Sequence, residues 1–199
     1  MESIRSDDLV LEDVPIIDFK TYFNKADEQA WRLECKKVAQ SFHQFGIAIV
    51  RDPRVEHKNN EEYIEMMERY FQSMGKKYYA GEELEDVHPE LSYQTGATHE
   101  SVEKARNHKE FAESLPEEHR PLSKFPPEYD AKWRFFWPIG ERPQEVNNDL
   151  PKVYPKDFPE WEERMDGWGN HMVHAAETAA EMVAIGLGLD QNIFTDRMR

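Results

Sequence analysis

Apolar residues recur along this chain in distinct rhythms, and the clearest comes first. Val14-Pro15-Ile16-Ile17-Asp18-Phe19 is a short β-rich run, with its proline near the start, where a missing backbone N–H is tolerated. The adjacent isoleucines predict burial on both faces. Trp31, Cys35, Val38, Ala39, Phe42 and Phe45 then return at three- and four-residue intervals. They make one apolar stripe of a helix over about Asp27 to Phe45, and Gly46 suits the residue that closes it. Ile47-Ala48-Ile49-Val50 follows directly and is stopped by Asp52-Pro53. Strand, helix and strand in this order predict a parallel crossover.

A second stripe, Tyr63, Met66, Met67, Tyr70, Phe71 and Met74, predicts a helix over about Asn60 to Met74. Asn59 is its expected cap, Glu62 stands at the capping-box position, and Gly75 is its expected end. The charged stretch from Lys76 to Glu90 reads as loop, Leu91–Gly96 as a short strand or extended segment, and Glu100 to Asn107 as a helix. Residues 116–159 hold nine of the twelve prolines, which excludes long regular elements. Within them Lys132-Trp133-Arg134-Phe135-Phe136-Trp137-Pro138 reads as a packed, extended aromatic run. The last large element is a long helix over 157–188, with Asp157 as cap and Pro159 in the first turn. Its apolar positions are Trp161, Met165, Trp168, Met172, Ala175, Ala179 and Met182. Gly167 and Gly169 predict a kink or a close backbone approach near Trp168, and Gly186 and Gly188 mark the helix end. Asn192 to Met198 reads as one further helical turn.

Composition narrows the functional classes. At 199 residues the chain is expected to form a single domain, with residues 1–12 as a flexible arm. With 25 basic and 40 acidic residues the net charge is −15. That sign repels phosphate backbones and anionic membrane surfaces, so neither nucleic acid nor a membrane is an expected partner. The same charge argues against base stacking by the 132–138 rings. No apolar run approaches the ~20 residues that span a bilayer. The acidic N-terminus has no apolar signal core, and the one cysteine fits a reducing compartment, so the expected location is the cytoplasm.

Candidate chemistry is sparse. His171, His174 and Glu177 stand at i, i+3 and i+6 on the long helix, a spacing at which two side chains can share an ion. Two His-x-carboxylate triplets occur, His88-Pro89-Glu90 and His108-Lys109-Glu110, each able with a remote histidine to imitate a two-histidine, one-carboxylate iron site. All three sets read more simply as ordinary polar residues, the Met-rich stripe as core rather than a ligand groove, and Cys35 as core rather than a nucleophile. There is no phosphate-binding glycine loop, nucleophile elbow, Cys-x-x-Cys pair or basic patch.

Val14–Phe19, the helix ending Phe42-His43-Gln44-Phe45-Gly46, and Ile47–Val50 together resemble the N-terminal region of the isopenicillin N synthase-like, 2-oxoglutarate/Fe(II)-dependent oxygenases. Tyr93–Thr98, Lys132–Trp137, Phe158–Trp161, Asp166–Asn170, Gly186–Leu189 and Phe194–Met198 extend the resemblance over nearly all of the chain, which spans about the first half of such a protein. The resemblance implies an α/β (α+β) fold, the N-terminal strand-helix-strand and long helix of a double-stranded β-helix (jelly-roll) oxygenase with its barrel incomplete. Complete members hold Fe(II) with His-x-Asp and a distant His, and many anchor 2-oxoglutarate with Arg-x-Ser. Neither motif occurs here, so no residue of this chain is assigned a catalytic, metal or cofactor-binding role, and no cofactor is expected on this chain alone. The resemblance would turn residues 91–96 toward the substrate side of a complete site. The expected function is the N-terminal portion of a non-haem oxygenase whose catalytic barrel lies beyond residue 199. The alternative is a barrel-less derivative acting as a structural component of an assembly. The expected partner is accordingly the chain's own C-terminal barrel, or a protein covering the edges of Val14–Phe19 and Ile47–Val50.

Overall fold

The computed structural model describes residues 10–140 and 150–198. Most of the arm expected over residues 1–12, and positions 141–149 of the proline-rich stretch, lie outside them. The chain forms two compact units, Met1–Glu62 with Asp166–Arg199, and Tyr63–Met165. Both are helix-rich, and each carries one two-stranded sheet.

In the first unit, β1 (Ile16–Asp18) pairs with β2 (Ile49–Arg51) in parallel, with Ile16 opposite Ile49 and Ile17 opposite Val50, as the crossover pattern predicts. A one-turn helix not expected from the sequence, α1 (Phe19–Phe23), follows β1 directly. Asp18 caps it, its Oδ1 accepting from the Lys20 amide at 2.9 Å. Helix α2 (Glu28–Phe45) has the expected bounds. The Asp27 carboxylate accepts from the Ala30 amide at 3.0 Å, and Gly46, at φ +72°, donates to the Phe42 carbonyl at 3.0 Å. The core of this unit gathers Ile17, Phe19, Tyr22, Cys35, Val38 and Met182. Burial on both faces of the sheet is not observed: Ile17 is fully buried, while Ile16 is half exposed.

Helix α5 (Trp161–Gly186) lends its C-terminal part to this core through Ala175, Ala179 and Met182. Asp157 does not cap it and instead lies 3.8 Å from the Lys77 ammonium. The helix runs through both Gly167 and Gly169, and a side chain at Gly167 would meet open space, so neither glycine ends or interrupts it. The close approach is at Gly186, where a Cβ would stand 2.3 Å from the Cys35 carbonyl oxygen. A Schellman motif on Gly188 (φ +74°) ends α5, with Leu189 donating to Ala184 at 2.8 Å and Gly188 to Ile185 at 2.9 Å. The expected final turn is a 3-10 turn at Thr195–Arg197.

Most of α3 (His57–Ala80) belongs to the second unit. It begins before and ends after the expected bounds of Asn60 and Met74, and so takes in part of the predicted 76–90 loop. Asn59 lies inside it, its side chain reaching back to accept from the Glu56 amide at 3.1 Å. Gly75 stays helical, and the stop is Gly81 at φ +72°, where Glu82 donates to Lys77 and Gly81 to Tyr78, both at 3.0 Å. Only a C′ residue in the left-handed conformation satisfies those two carbonyls together.

The Leu91–Gly96 strand is not formed. Pro89–Leu91 is a 3-10 turn, Ser92 and Tyr93 take positive φ, and β3 begins only at Gly96 (Gly96–Thr98). The predicted 100–107 helix is also absent. Ser101 sits at φ +64°, its amide bonded to the Asp130 carbonyl, and Lys104 bridges to Tyr129. Distant pairing takes the backbone groups a helix would need. A short helix, α4 (Lys109–Ser114), comes next. The aromatic run forms β4 (Arg134–Phe136), antiparallel to β3, and Trp133, Phe135 and Trp137 pack on a core of Met66, Tyr70, Met74, Ala97, Phe158, Trp161 and Met165. Tyr70 lies at its centre, 4.6 Å from the Trp161 ring and 5.4 Å from Phe135.

Candidate functional site

The metal candidates are not brought together. Among the described residues no three His, Cys, Asp or Glu side chains are placed to hold an ion. His88 and Glu90 bond to each other, Nδ1 to Oε1 at 2.9 Å, without a third donor. That hydrogen bond holds the Glu90 carboxyl below its usual range. His108 is the cap residue of α4 and Glu110 lies in its first turn, and among the described residues no third ligand joins them. The His171, His174 and Glu177 segment of α5 is occupied by an ion pair from just after β2. Arg54 donates through Nη2 to the His174 carbonyl at 3.2 Å and to the Thr178 hydroxyl at 3.1 Å, while also binding Asp52 at 2.5 Å. Cys35 is fully buried, and burial, reinforced by the Glu34 charge, pushes its thiol up to about 12. A thiol so placed is inert. The candidate sets therefore do not assemble an iron site among the described residues.

The Asp52–Arg54 pair is an anchor the motif search passed over. The Asp52 side chain is 5% exposed. Burial works to raise its pKa, but hydrogen bonds from the Arg54 side chain and backbone, with the Arg54 charge, bring it below the ordinary value. A depressed folded pKa means stability that is present above the unfolded value of about 3.9 and is lost as pH falls through the lower folded value. Asp52→Asn should therefore lower the urea midpoint at pH 7 and leave it close to that of the unaltered protein at pH 2. Equal deficits at the two pH values would contradict this role. Nearby, the Tyr22 hydroxyl donates to the Glu181 carboxylate at 2.8 Å and Gln191 donates to the same oxygen at 3.0 Å. Burial and that carboxylate raise the Tyr22 pKa, so this network is neutral-phenol, carboxylate and amide, and structural.

In the second unit a cavity of about 310 Å³ is floored by Tyr70 and Asp86, whose hydroxyl and carboxylate meet at 3.0 Å. Burial raises both pKa values. Lys156, on its rim, is paired with Glu85 at 2.8 Å. Within the 91–96 segment Thr95 is buried and its hydroxyl donates to the Pro151 carbonyl at 2.6 Å, a contact that positions backbone rather than chemistry.

What the first unit offers is a surface. In parallel register Ile16 and Ile49 share a face of the β1–β2 sheet, and Ile47 lies just ahead of β2. These three isoleucines are 50%, 51% and 55% exposed. Among the described residues the sheet has two strands, so β1 and β2 each present an unpaired edge. An apolar face beside open edges is the arrangement that recruits further strands or a cover.

No family model matches the chain and no curated protein matches it in sequence. Solved structures do match. A full-length Neurospora crassa protein in complex with alpha-KG and thymine aligns at a TM-score of 0.59 with 19% identity, over 93% of this chain and 52% of that one. The C-terminally truncated apo form of the same Neurospora protein gives 0.53 with 16% identity, over 99% and 61%. A Caulobacter crescentus protein assigned to the 2OG-Fe(II) oxygenase family gives 0.57 with 14% identity, over 93% and 52%. The chain is similar in fold to part of each of these proteins. It spans about half their length, in keeping with the N-terminal resemblance carried by its motifs. At these identities the likeness is one of fold. Among the described residues no helix is long and apolar enough to cross a membrane.

Proposed function

We propose that residues 1–199 are the non-catalytic N-terminal section of an Fe(II)/2-oxoglutarate-dependent oxygenase, and that β1 and β2 extend the sheet of a jelly-roll barrel encoded beyond residue 199. The observation that carries this reading is the Ile16, Ile47 and Ile49 surface, half exposed beside two unpaired strand edges. The fold likeness, covering nearly all of this chain and about half of each of those chains, supports it. Burying three half-exposed isoleucines removes apolar area from water at roughly 25 cal/mol per Å², a driving force for a covalently attached barrel.

In this reading, iron and 2-oxoglutarate are held by the barrel, and this chain supplies packing and orientation. The test compares the 199-residue protein with the product of the same reading frame continued downstream. The longer protein should contain a His-x-Asp segment and convert 2-oxoglutarate to succinate in the presence of Fe(II), and the shorter one should not. A stop codon at 199, with a separate protein recovered on the Ile16, Ile47 and Ile49 surface, would instead establish the barrel-less structural component.

A further inference from the structure

The second unit contains a cavity that neither the fold likeness nor the proposed barrel accounts for. Its walls are the two limbs of the loop between β3 and β4. The base of the loop is closed by hydrogen bonds from Ser101 to the Asp130 carbonyl at 2.9 Å and from Asp130 to the Glu103 carbonyl at 2.8 Å. One limb is α4, and the other is the proline-rich return through Pro121 and Phe125. Arg120 fastens the return to the end of α4, donating through Nε to the Leu115 carbonyl at 2.9 Å and through Nη2 to that of Glu113 at 3.2 Å. The limbs flank a cleft of about 550 Å³ that is open to solvent on one side, within the size range of small-molecule pockets.

Apolar and polar groups both face this space, among them Lys124 and Glu128, which neutralise each other as an ion pair at 3.1 Å. Phe111, Phe125 and Pro121 supply apolar wall, and Phe111 is 65% exposed, an aromatic ring left open to an incoming partner. Arg106 and His108 line the same space. Among the described residues neither side chain makes a hydrogen bond or an ion pair, whereas neighbouring Lys109 and Lys124 are paired with Glu113 and Glu128. An arginine with no carboxylate partner among the described residues, in a chain of net charge −15, is an open fork for a planar anion. A histidine ring offers an N–H donor in either protonation state.

We propose that this cavity binds a small aromatic carboxylate, its ring against Phe111 and Phe125 and its carboxylate on Arg106 with His108 beside it. The inference stands apart from the oxygenase reading, since the whole site lies within residues 101–130.

Calorimetric titration of the 199-residue protein with 3-phenylpropionate tests it, with 3-phenylpropionamide as the uncharged control. Saturable one-to-one binding of the acid is expected, about tenfold weaker for the amide and for Arg106→Gln, the loss of one charge-assisted contact. Phe111→Ser should weaken both ligands alike. Because Arg106 and Phe111 are exposed, far-UV circular dichroism should be unchanged in either variant. In the unaltered protein the Phe111 and Phe125 ring resonances should shift on titration. Absence of saturation, equal affinity for acid and amide, unchanged binding by Arg106→Gln, or ring shifts confined elsewhere would each overturn the proposal.

Discussion

Replacing Gly186 by valine should destabilise the protein by about 3 kcal/mol, the upper end of the usual cost of overpacking a close-packed site. A Cβ at this position meets the Cys35 carbonyl oxygen at 2.3 Å and the Ala39 methyl at 2.9 Å. The first neighbour is main chain inside α2 and cannot rotate aside, so the two helices must move apart. Glycine-to-alanine exchange inside a helix ordinarily gains about 1 kcal/mol. Here Gly186→Ala should lose stability instead, and the sign alone is diagnostic. At Gly167, where a side chain meets open space, the same exchange should stabilise. Urea midpoints of the three variants read this directly, and a Gly186→Ala protein as stable as Gly167→Ala would refute the close approach of α2 and α5.

Trp161→Ala should cost about 3–5 kcal/mol, the range for removing a fully buried large aromatic. The indole is 1% exposed and packs against Tyr70 at 4.6 Å, Phe135 at 4.7 Å and Phe158 at 5.9 Å. Its ring N–H is buried without a hydrogen-bond partner among the described residues. An unsatisfied buried donor is itself a penalty of about 1–3 kcal/mol, and phenylalanine removes that donor with part of the volume. Trp161→Phe should therefore stay within about 1.5 kcal/mol of the unaltered protein. Thermal melts followed by far-UV circular dichroism separate the two cases, and a phenylalanine variant as unstable as the alanine one would mean the N–H is satisfied after all.

What the sequence made legible was local. Helix α2 was readable at both ends because Asp27 and Gly46 complete it with bonds spanning three or four residues. The parallel crossover followed from two apolar runs flanking that helix. The end of α3 was not readable from glycine alone. Gly75 and Gly81 are equivalent punctuation, and the choice falls on Gly81 because Tyr78 and Lys77 still have carbonyls that only its left-handed backbone satisfies. Residues 100–107 read locally as helix, yet Ser101, Glu103 and Lys104 form their bonds with Tyr129 and Asp130, partners more than twenty positions away that no local pattern reveals. Gly186 looked like a mere helix stop because the carbonyl it accommodates belongs to residue 35.

The candidate surface was legible in outline, since the adjacent isoleucines and the Ile47–Val50 run announced two apolar strands. Sequence could not reveal that Ile16 would remain half exposed beside a buried Ile17, because that depends on what else is laid against the sheet. Arg54 also escaped notice, as its partners at residues 174 and 178 lie over a hundred positions downstream.

The most direct test of the central claim, that these residues build part of the oxygenase fold without its reaction centre, is iron retention. The 199-residue protein would be equilibrated anaerobically with Fe(II) and 2-oxoglutarate, desalted and assayed for iron by mass spectrometry. Retention no greater than that of an unrelated acidic protein of equal charge is expected. One equivalent of iron per chain, dependent on 2-oxoglutarate, would contradict the account and place a reaction centre within these residues.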